Sequence, residues 1–202
     1  MISHEHKIIF IHCPKCAGES ISMALFGRVD TGFGKDGLDG TSTKHWSYED
    51  YVKHYGEKIC QQYFTFSFVR NPWDQILSRT CFAKKREIFP KEFKELIKQD
   101  PSLDTNSELI RLNIAKKSWR TFHQMLFFKD QCAVDFVGKF ENIQDDFNLL
   151  CKKLNFKNCR LPLINQTPHR HYSEYYNDEN KNLVAIKHAI DVDYFDYKFN
   201  NN

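Results

Sequence analysis

The chain has 202 residues, 41% hydrophobic and 15% aromatic, with 18 Phe among them. That is enough apolar surface for a sizeable core and excludes wholesale disorder. Its 29 Lys and Arg against 26 Asp and Glu leave a net charge of +3, which is not the clustered basic excess of a protein built to hold nucleic acid.

The first element in chain order is Lys7–Ile11, a β-branched and aromatic run that reads as a buried strand and stops at Pro14. Ala17 to Phe26 follows as a helix with Ile21, Ala24 and Leu25 on one face. Residues 30–43 carry Gly32, Gly34, Gly37 and Gly40 among Asp, Ser and Thr, the composition of a long loop. Ser47 and Asp50 resemble a capping box that opens a short helix ending at Gly56. Tyr63 to Val69 reads as a second buried strand, and Asn71-Pro72 opens the next helix with proline in its first turn. Helical patterns recur at Phe93–Ile97 and Glu108–Phe127. Val134–Phe140 reads as a third strand, Asn142 as the cap of a helix from Ile143 to Leu154, and Asn180–Ile190 as a last helix. Strands alternating with helices predict an α/β fold, a single domain over 1–202 with a central parallel sheet flanked by helices.

Seven cysteines are scattered through the chain, an odd number that suits a reducing compartment better than a secreted disulfide framework. The opening MISHEHK holds no apolar signal core, and no apolar run approaches a membrane span. A cytoplasmic protein without an integral membrane segment is therefore expected.

The segment KIIFIHCPKCAGESI, residues 7–21, leads from a buried strand through a turn straight into a helix. That geometry aims backbone N–H groups and the positive helix end at one spot, the means by which proteins hold a phosphate. Lys15 adds a cation, and Ser20 adds a hydroxyl in the first helical turn. The plain alternative is an ordinary strand-to-helix turn with an exposed lysine. It is not a Walker A loop, because lysine precedes the glycine, and GxGxxG does not occur within this segment. Cys13 and Cys16 form a CxxC, which leaves a redox module in view. No second CxxC or spaced His pair completes a zinc site.

FTFSFVRNPWDQILSR, residues 64–79, repeats the plan: Arg70 stands at the carboxyl end of a strand, where open α/β sheets bind ligands, and Ser78 lies two turns into the helix. Together they suit a second phosphate, with an ion pair between Arg70 and Asp74 as the structural alternative.

These two segments resemble the PAPS-dependent sulfotransferases. The first is similar to the 5′-phosphosulfate loop of the carbohydrate branch (heparan 2-O- and chondroitin-like, sulfotransferase family 2), which runs close to F-I/V-H-I/V-P-K-T-A-G-T-S. The second is similar to its 3′-phosphate element, F-x-F-V-R-N-P-W-D-R-x-x-S. VDFVGKFENIQDDF at 134–147, Leu161-Pro162 with Asn165, Tyr172 and Tyr175-Tyr176 follow in order, so the resemblance spans about residues 7–199. It implies a P-loop nucleotide-kinase-like sulfotransferase fold. It also implies transfer of a sulfuryl group from 3′-phosphoadenosine 5′-phosphosulfate to an acceptor hydroxyl, with 3′-phosphoadenosine 5′-phosphate as product and no metal. Lys15, Cys16, Ala17, Gly18, Glu19 and Ser20 would hold the 5′ side, Arg70 and Ser78 the 3′-phosphate, and Arg170 a position near the cofactor.

Lys15 and His45 are the candidate catalytic residues; His45 follows the glycine-rich loop where the family places its histidine base. His12 also matches a family histidine, but at a strand end it reads as structural. Cys16 and Glu19 stand where the pattern has threonine, which removes one hydroxyl and adds a carboxylate beside the anion. The expected acceptor is a glycan or another small molecule. A kinase-like phosphotransferase and a non-catalytic nucleotide-binding or CxxC module are the alternatives.

Overall fold

The computed structural model describes residues 1–27, 44–100, 102, 104–116, 119–157 and 160–200. The glycine-rich stretch 30–43 lies outside the described residues. In chain order the elements are β1 (Ile2–Ser3), β2 (Ile8–Ile11), α1 (Gly18–Phe26), α2 (Tyr48–Tyr55), α3 (Glu57–Gln62), β3 (Phe64–Val69), α4 (Pro72–Lys85), α5 (Lys91–Gln99) and α6 (Thr105–Ala115). Then come α7 (Phe122–Leu126), β4 (Phe127–Phe128), β5 (Gln131–Cys132), β6 (Phe136–Lys139), α8 (Ile143–Lys153), α9 (Asp178–Lys187) and α10 (Ala189–Tyr194).

The chain divides into two compact units, one of residues 1–70 and 122–165, the other of 71–121 and 166–202. In the first unit β1-β2-β3-β6 form a mostly parallel sheet: β2 pairs with β3 and β3 with β6 in parallel, while β1 runs antiparallel to β2. The antiparallel edge departs from the purely parallel sheet expected. It forms because Ile2 is buried opposite Ile9 and the Met1 carbonyl accepts from Phe10 N–H at 2.8 Å.

Ile8 to Ile11 and Thr65 to Val69 are buried throughout, as strands covered on both faces require. Phe10 and Phe66, partners in register, stack 4.8 Å apart. Phe68 lies opposite Gly138, where a Cβ would come within 2.4 Å of its ring. Of the flanking helices, α1 buries Ile21 and Leu25, and α8 buries Phe147 and Leu150. Register brings the ends of β2, β3 and β6 to one edge: Ile11 pairs with Ser67, and Val69 with Lys139.

The second unit gathers α4, α6 and α9 around Trp73, Ile76, Leu77, Ile110, Ile114, Tyr172 and Val184. Asn71 caps α4 by accepting from Trp73 N–H at 3.1 Å and donates from Nδ2 to the Lys198 carbonyl at 2.9 Å. Burial pushes the Tyr176 hydroxyl pKa well above its ordinary value, reinforced by the nearby Asp74; it donates to the Trp73 carbonyl at 2.8 Å.

The helix expected over 108–127 is broken. Lys187 Nζ reaches the Ile114 and Lys116 carbonyls at 2.5 and 3.1 Å, and Trp119 lies under the Arg79 guanidinium at 3.2 Å. These tertiary contacts end α6. Beyond α7, Lys129 and Asp130 take left-handed backbone (φ 50° and 62°) and turn β4 into β5. Asn142 precedes α8 as expected but makes no side-chain cap, because a 3-10 turn over Phe140–Asn142 leads into that helix. The last helical pattern starts earlier, at Asp178 behind an Asn177 cap, and continues past His188 as α10. Among the described residues no helix is long and apolar enough to cross a membrane.

Candidate active site

The turn after β2 is built on backbone of alternating hand. Lys15 (φ 65°) and Ala17 (φ 58°) are left-handed, and Cys16 between them is not. Each left-handed L-residue costs about 1–2 kcal/mol. Backbone of alternating hand is the kind from which anion-binding nests are built. Ala17 is the N-cap of α1, and its methyl has no acceptor to cap the helix end. Lys15 is half-buried at this turn.

The two cysteines lie inside the turn. Cys16 donates from Sγ to the Pro14 carbonyl at 3.4 Å, so it offers a bound anion its backbone and not its thiol. Ser67 gives its one proton to the Ile11 carbonyl at 2.7 Å, which makes Cys13 the donor in the 3.3 Å contact between them. Both thiols are buried at 1% exposure, out of reach of disulfide exchange.

Gly18 is required by close approach. A Cβ there would meet the His12 ring at 2.0 Å. His12 is buried and stacks on Phe10 at 5.6 Å, with the His45 ring edge-on at 4.6 Å. The column Phe66–Phe10–His12 thus extends from the sheet to His45, with the His12 ring packed within it.

His45 follows Lys44 and precedes the Ser47 cap of α2, and its own backbone is left-handed at φ 68°. Its Nδ1 lies 2.7 Å from the His12 carbonyl. A carbonyl only accepts, so Nδ1 carries the proton, which in the neutral ring leaves the lone pair on Nε2.

Arg70 leaves β3, the strand between β2 and β6, and reaches to both sides. Its Nη1 donates to the Lys15 carbonyl at 3.1 Å, and its guanidinium lies 4.0 Å above the centre of the Phe140 ring. Phe140, the residue just after β6, was not foreseen; the KFEN run in which it sits was the available signal. With five N–H donors the guanidinium can serve an anion as well as this carbonyl.

The two departures from the expected pattern now have surroundings. Glu19 pairs with Lys44 at 2.7 Å and accepts from the Asn165 amide through its other oxygen. Partial burial pushes the Glu19 carboxyl up, but the Lys44 ammonium, the Asn165 amide and nearby His12 outweigh it and hold its pKa below the ordinary value. Ser20 is buried, and its Oγ accepts from Ile164 N–H at 3.2 Å, which leaves its proton to donate.

The first unit therefore brings together Lys15, Cys16, Ala17, Gly18, Glu19, Ser20, Arg70 and His45. Ser78 and Arg170 belong to the second unit. Ser78 is buried in α4, and Arg170 is exposed and paired with Glu174 at 2.8 Å.

A family model described as "Sulfotransferase family" matches residues 1–197. The chain belongs to the sulfotransferase family. Over 100 residues, 49% of this chain, it is 29% identical to an uncharacterized protein of Archaeoglobus fulgidus, covering 73% of that protein. No solved structure matches. Membership in the sulfotransferase family makes the protein a transferase of sulfuryl groups in general, with PAPS as the family's general donor and small molecules or glycans as its general acceptors. Among the described residues of this sulfotransferase, no group of three His, Cys, Asp or Glu side chains could hold a metal ion.

Proposed function

We propose that this sulfotransferase moves the sulfuryl group of 3′-phosphoadenosine 5′-phosphosulfate to a hydroxyl of a carbohydrate acceptor, with His45 as base. The observation that carries the reading is the bond from Arg70 to the Lys15 carbonyl. It ties together, through the Lys15 backbone, the two residues named by separate motifs at one edge of one sheet. Each unit is assembled from two separated stretches of chain, so we read residues 1–202 as one sulfotransferase domain. Its seven cysteines suit a cytoplasmic setting.

The residues present fit the donor. An open helix end, a nested turn and a lysine suit a 5′-phosphosulfate, and a nearly buried arginine suits a phosphate. The donor supplies an activated sulfuryl group with a phosphate leaving group. Lys15 neutralises charge on that phosphate, and the N–H groups of residues 16–20 with the Ser20 hydroxyl orient it. Arg70 holds the 3′-phosphate. The Glu19 carboxylate, neutralised by Lys44, does not repel the incoming anion.

His45 Nε2 takes the acceptor proton, and the His12 carbonyl on Nδ1–H supports the imidazolium that forms. Replacing His45 by Ala lowers kcat by about a hundredfold or more while the affinity for 3′-phosphoadenosine 5′-phosphate stays near wild type.

Calorimetric titration with 3′-phosphoadenosine 5′-phosphate tests the reading. Saturable one-to-one binding that Lys15→Ala weakens by about tenfold or more supports it. No binding of that nucleotide, with heat from Mg-ATP instead, sinks it in favour of a phosphotransferase.

A further inference from the structure

Three segments converge on the first turn of α1. His12 lies against Gly18, Lys44 pairs with Glu19, and Ile164-Asn165 binds the next two side chains in order, Asn165 on Glu19 and Ile164 N–H on Ser20. Both Glu19 oxygens are engaged by different partners, which fixes the carboxylate plane. Glu19 and Lys44 are each only 24% exposed at the side chain, so their pairing is shielded better than an ordinary surface ion pair.

His45 carries a left-handed backbone that a non-glycine residue keeps only where its surroundings over-determine it. The brackets are visible on both sides. Before it, Lys44 is tied to Glu19 at 2.7 Å. After it, Ser47 N–H donates to Asp50 at 2.8 Å, and the Ser47 hydroxyl oxygen accepts from Asp50 N–H at 3.3 Å. Remove the first bracket and the backbone can relax, carrying Nδ1 off the His12 carbonyl.

We propose that Glu19 is a positioning residue for His45: by holding Lys44 against the first turn of α1 it keeps the His45 backbone left-handed and the ring in the tautomer whose Nε2 is the base. The inference rests on the sulfotransferase reading for the role of His45. It assigns a purpose to the carboxylate that stands where the motif has threonine, a side chain too short and uncharged to anchor an ammonium.

The test uses the full chain with Glu19→Gln and Lys44→Met, and Lys44→Arg as the conservative variant that preserves the pair. The ring nitrogens of His45 are followed by ¹⁵N NMR without nucleotide, with the signal assigned through His45→Ala. Wild type and Lys44→Arg hold the Nδ1–H tautomer, while Glu19→Gln and Lys44→Met drift to a mixture. In the same two variants kcat falls about tenfold, whereas the Kd for 3′-phosphoadenosine 5′-phosphate changes by less than about twofold. Lys44→Arg keeps most of the wild-type rate.

An unchanged tautomer in both variants overturns the proposal. So does a loss of nucleotide affinity in step with kcat, which would place Glu19 on the nucleotide. If wild type binds no nucleotide, it is the sulfotransferase reading that fails, and the tautomer comparison still decides whether Glu19 and Lys44 hold His45.

Discussion

The chain uses the strand–turn–helix plan twice, after β2 and after β3, and the two turns present opposite chemistry. After β2, left-handed Lys15 and Ala17 curl the backbone, and the N-cap is an alanine that cannot close α1. After β3, Asn71 closes α4 through its own side chain, and Pro72 brings no N–H at all. On the proposed reading the first turn offers backbone donors to an anion, while the second, with its Trp73 N–H capped, offers the Arg70 side chain. One topology can thus yield two kinds of anion grip, and the difference lies in which residue sits at the N-cap. In open α/β sheets the ends of parallel strands are where ligands bind, so two unlike grips at adjacent ends suit a ligand with two unlike phosphates.

The largest effect that sharpens this contrast is at Arg70. Its guanidinium is the proposed grip on the 3′-phosphate and also braces the Lys15 carbonyl, so Arg70→Ala removes a grip from one turn and a support from the other. We expect kcat/KM to fall by about a thousandfold, since one charge-stabilising donor alone carries about 2.7–4 kcal/mol. Arg70→Lys keeps a charge but cannot span carbonyl and phosphate together, and recovers little of the loss. Steady-state kinetics on the three proteins decides it. Full recovery by lysine would mean that the brace to Lys15 does not matter.

Gly18→Ala comes next. The added methyl meets the His12 ring at 2.0 Å, and the ring is pinned between Phe10 and His45. Overpacking of this kind costs about 1–3 kcal/mol, read as a lowered denaturation midpoint. Because the His12 carbonyl also holds Nδ1 of His45, kcat should fall as well. A variant with lowered stability and unchanged kcat would separate the His12 column from the base.

How much of this was legible in the sequence follows from how local each feature is. The strand ends, the Ser47 capping box and the Asn71-Pro72 start lie within a few residues of their causes, and the structure places them as expected. Arg70 and Lys15 were each named by their own motifs. What could not be read is the bond between them, across 55 residues, where spacing offered only Asp74 as a partner. Glu19 stood out as a misplaced charge, but Lys44 is 25 residues away and Asn165 is 146 away. Their pairing depends on tertiary closure and leaves no periodic trace. The broken helix over 108–127 has the same origin, since Lys187 and Arg79 end it from elsewhere in the chain.

Asn71→Ala breaks the second turn without touching the first. It removes the cap on Trp73 N–H and the bond to the Lys198 carbonyl. Loss of a cap alone costs about 0.5–2 kcal/mol. The denaturation midpoint should fall while the Kd for 3′-phosphoadenosine 5′-phosphate stays near wild type. A large rise in that Kd would show that the second turn also binds through its backbone and would erase the contrast.

The smallest effect expected is the pH dependence of Glu19. Its carboxyl has a lower pKa folded than the ordinary value of 4.5. A depressed carboxylate binds fewer protons folded than unfolded, so it adds stability above the unfolded value and loses it as pH falls through the folded one. The stability difference between wild type and Glu19→Gln should therefore be flat from neutral pH down to the ordinary carboxylate value. Below that it should shrink. Partial exposure keeps the whole contribution below about 1 kcal/mol, so paired urea melts across pH 3–7 are the suitable measurement. A difference that grew on acidification would mean that Glu19 is repelled by its surroundings, and the first turn of α1 would then be the poorer anion site of the two.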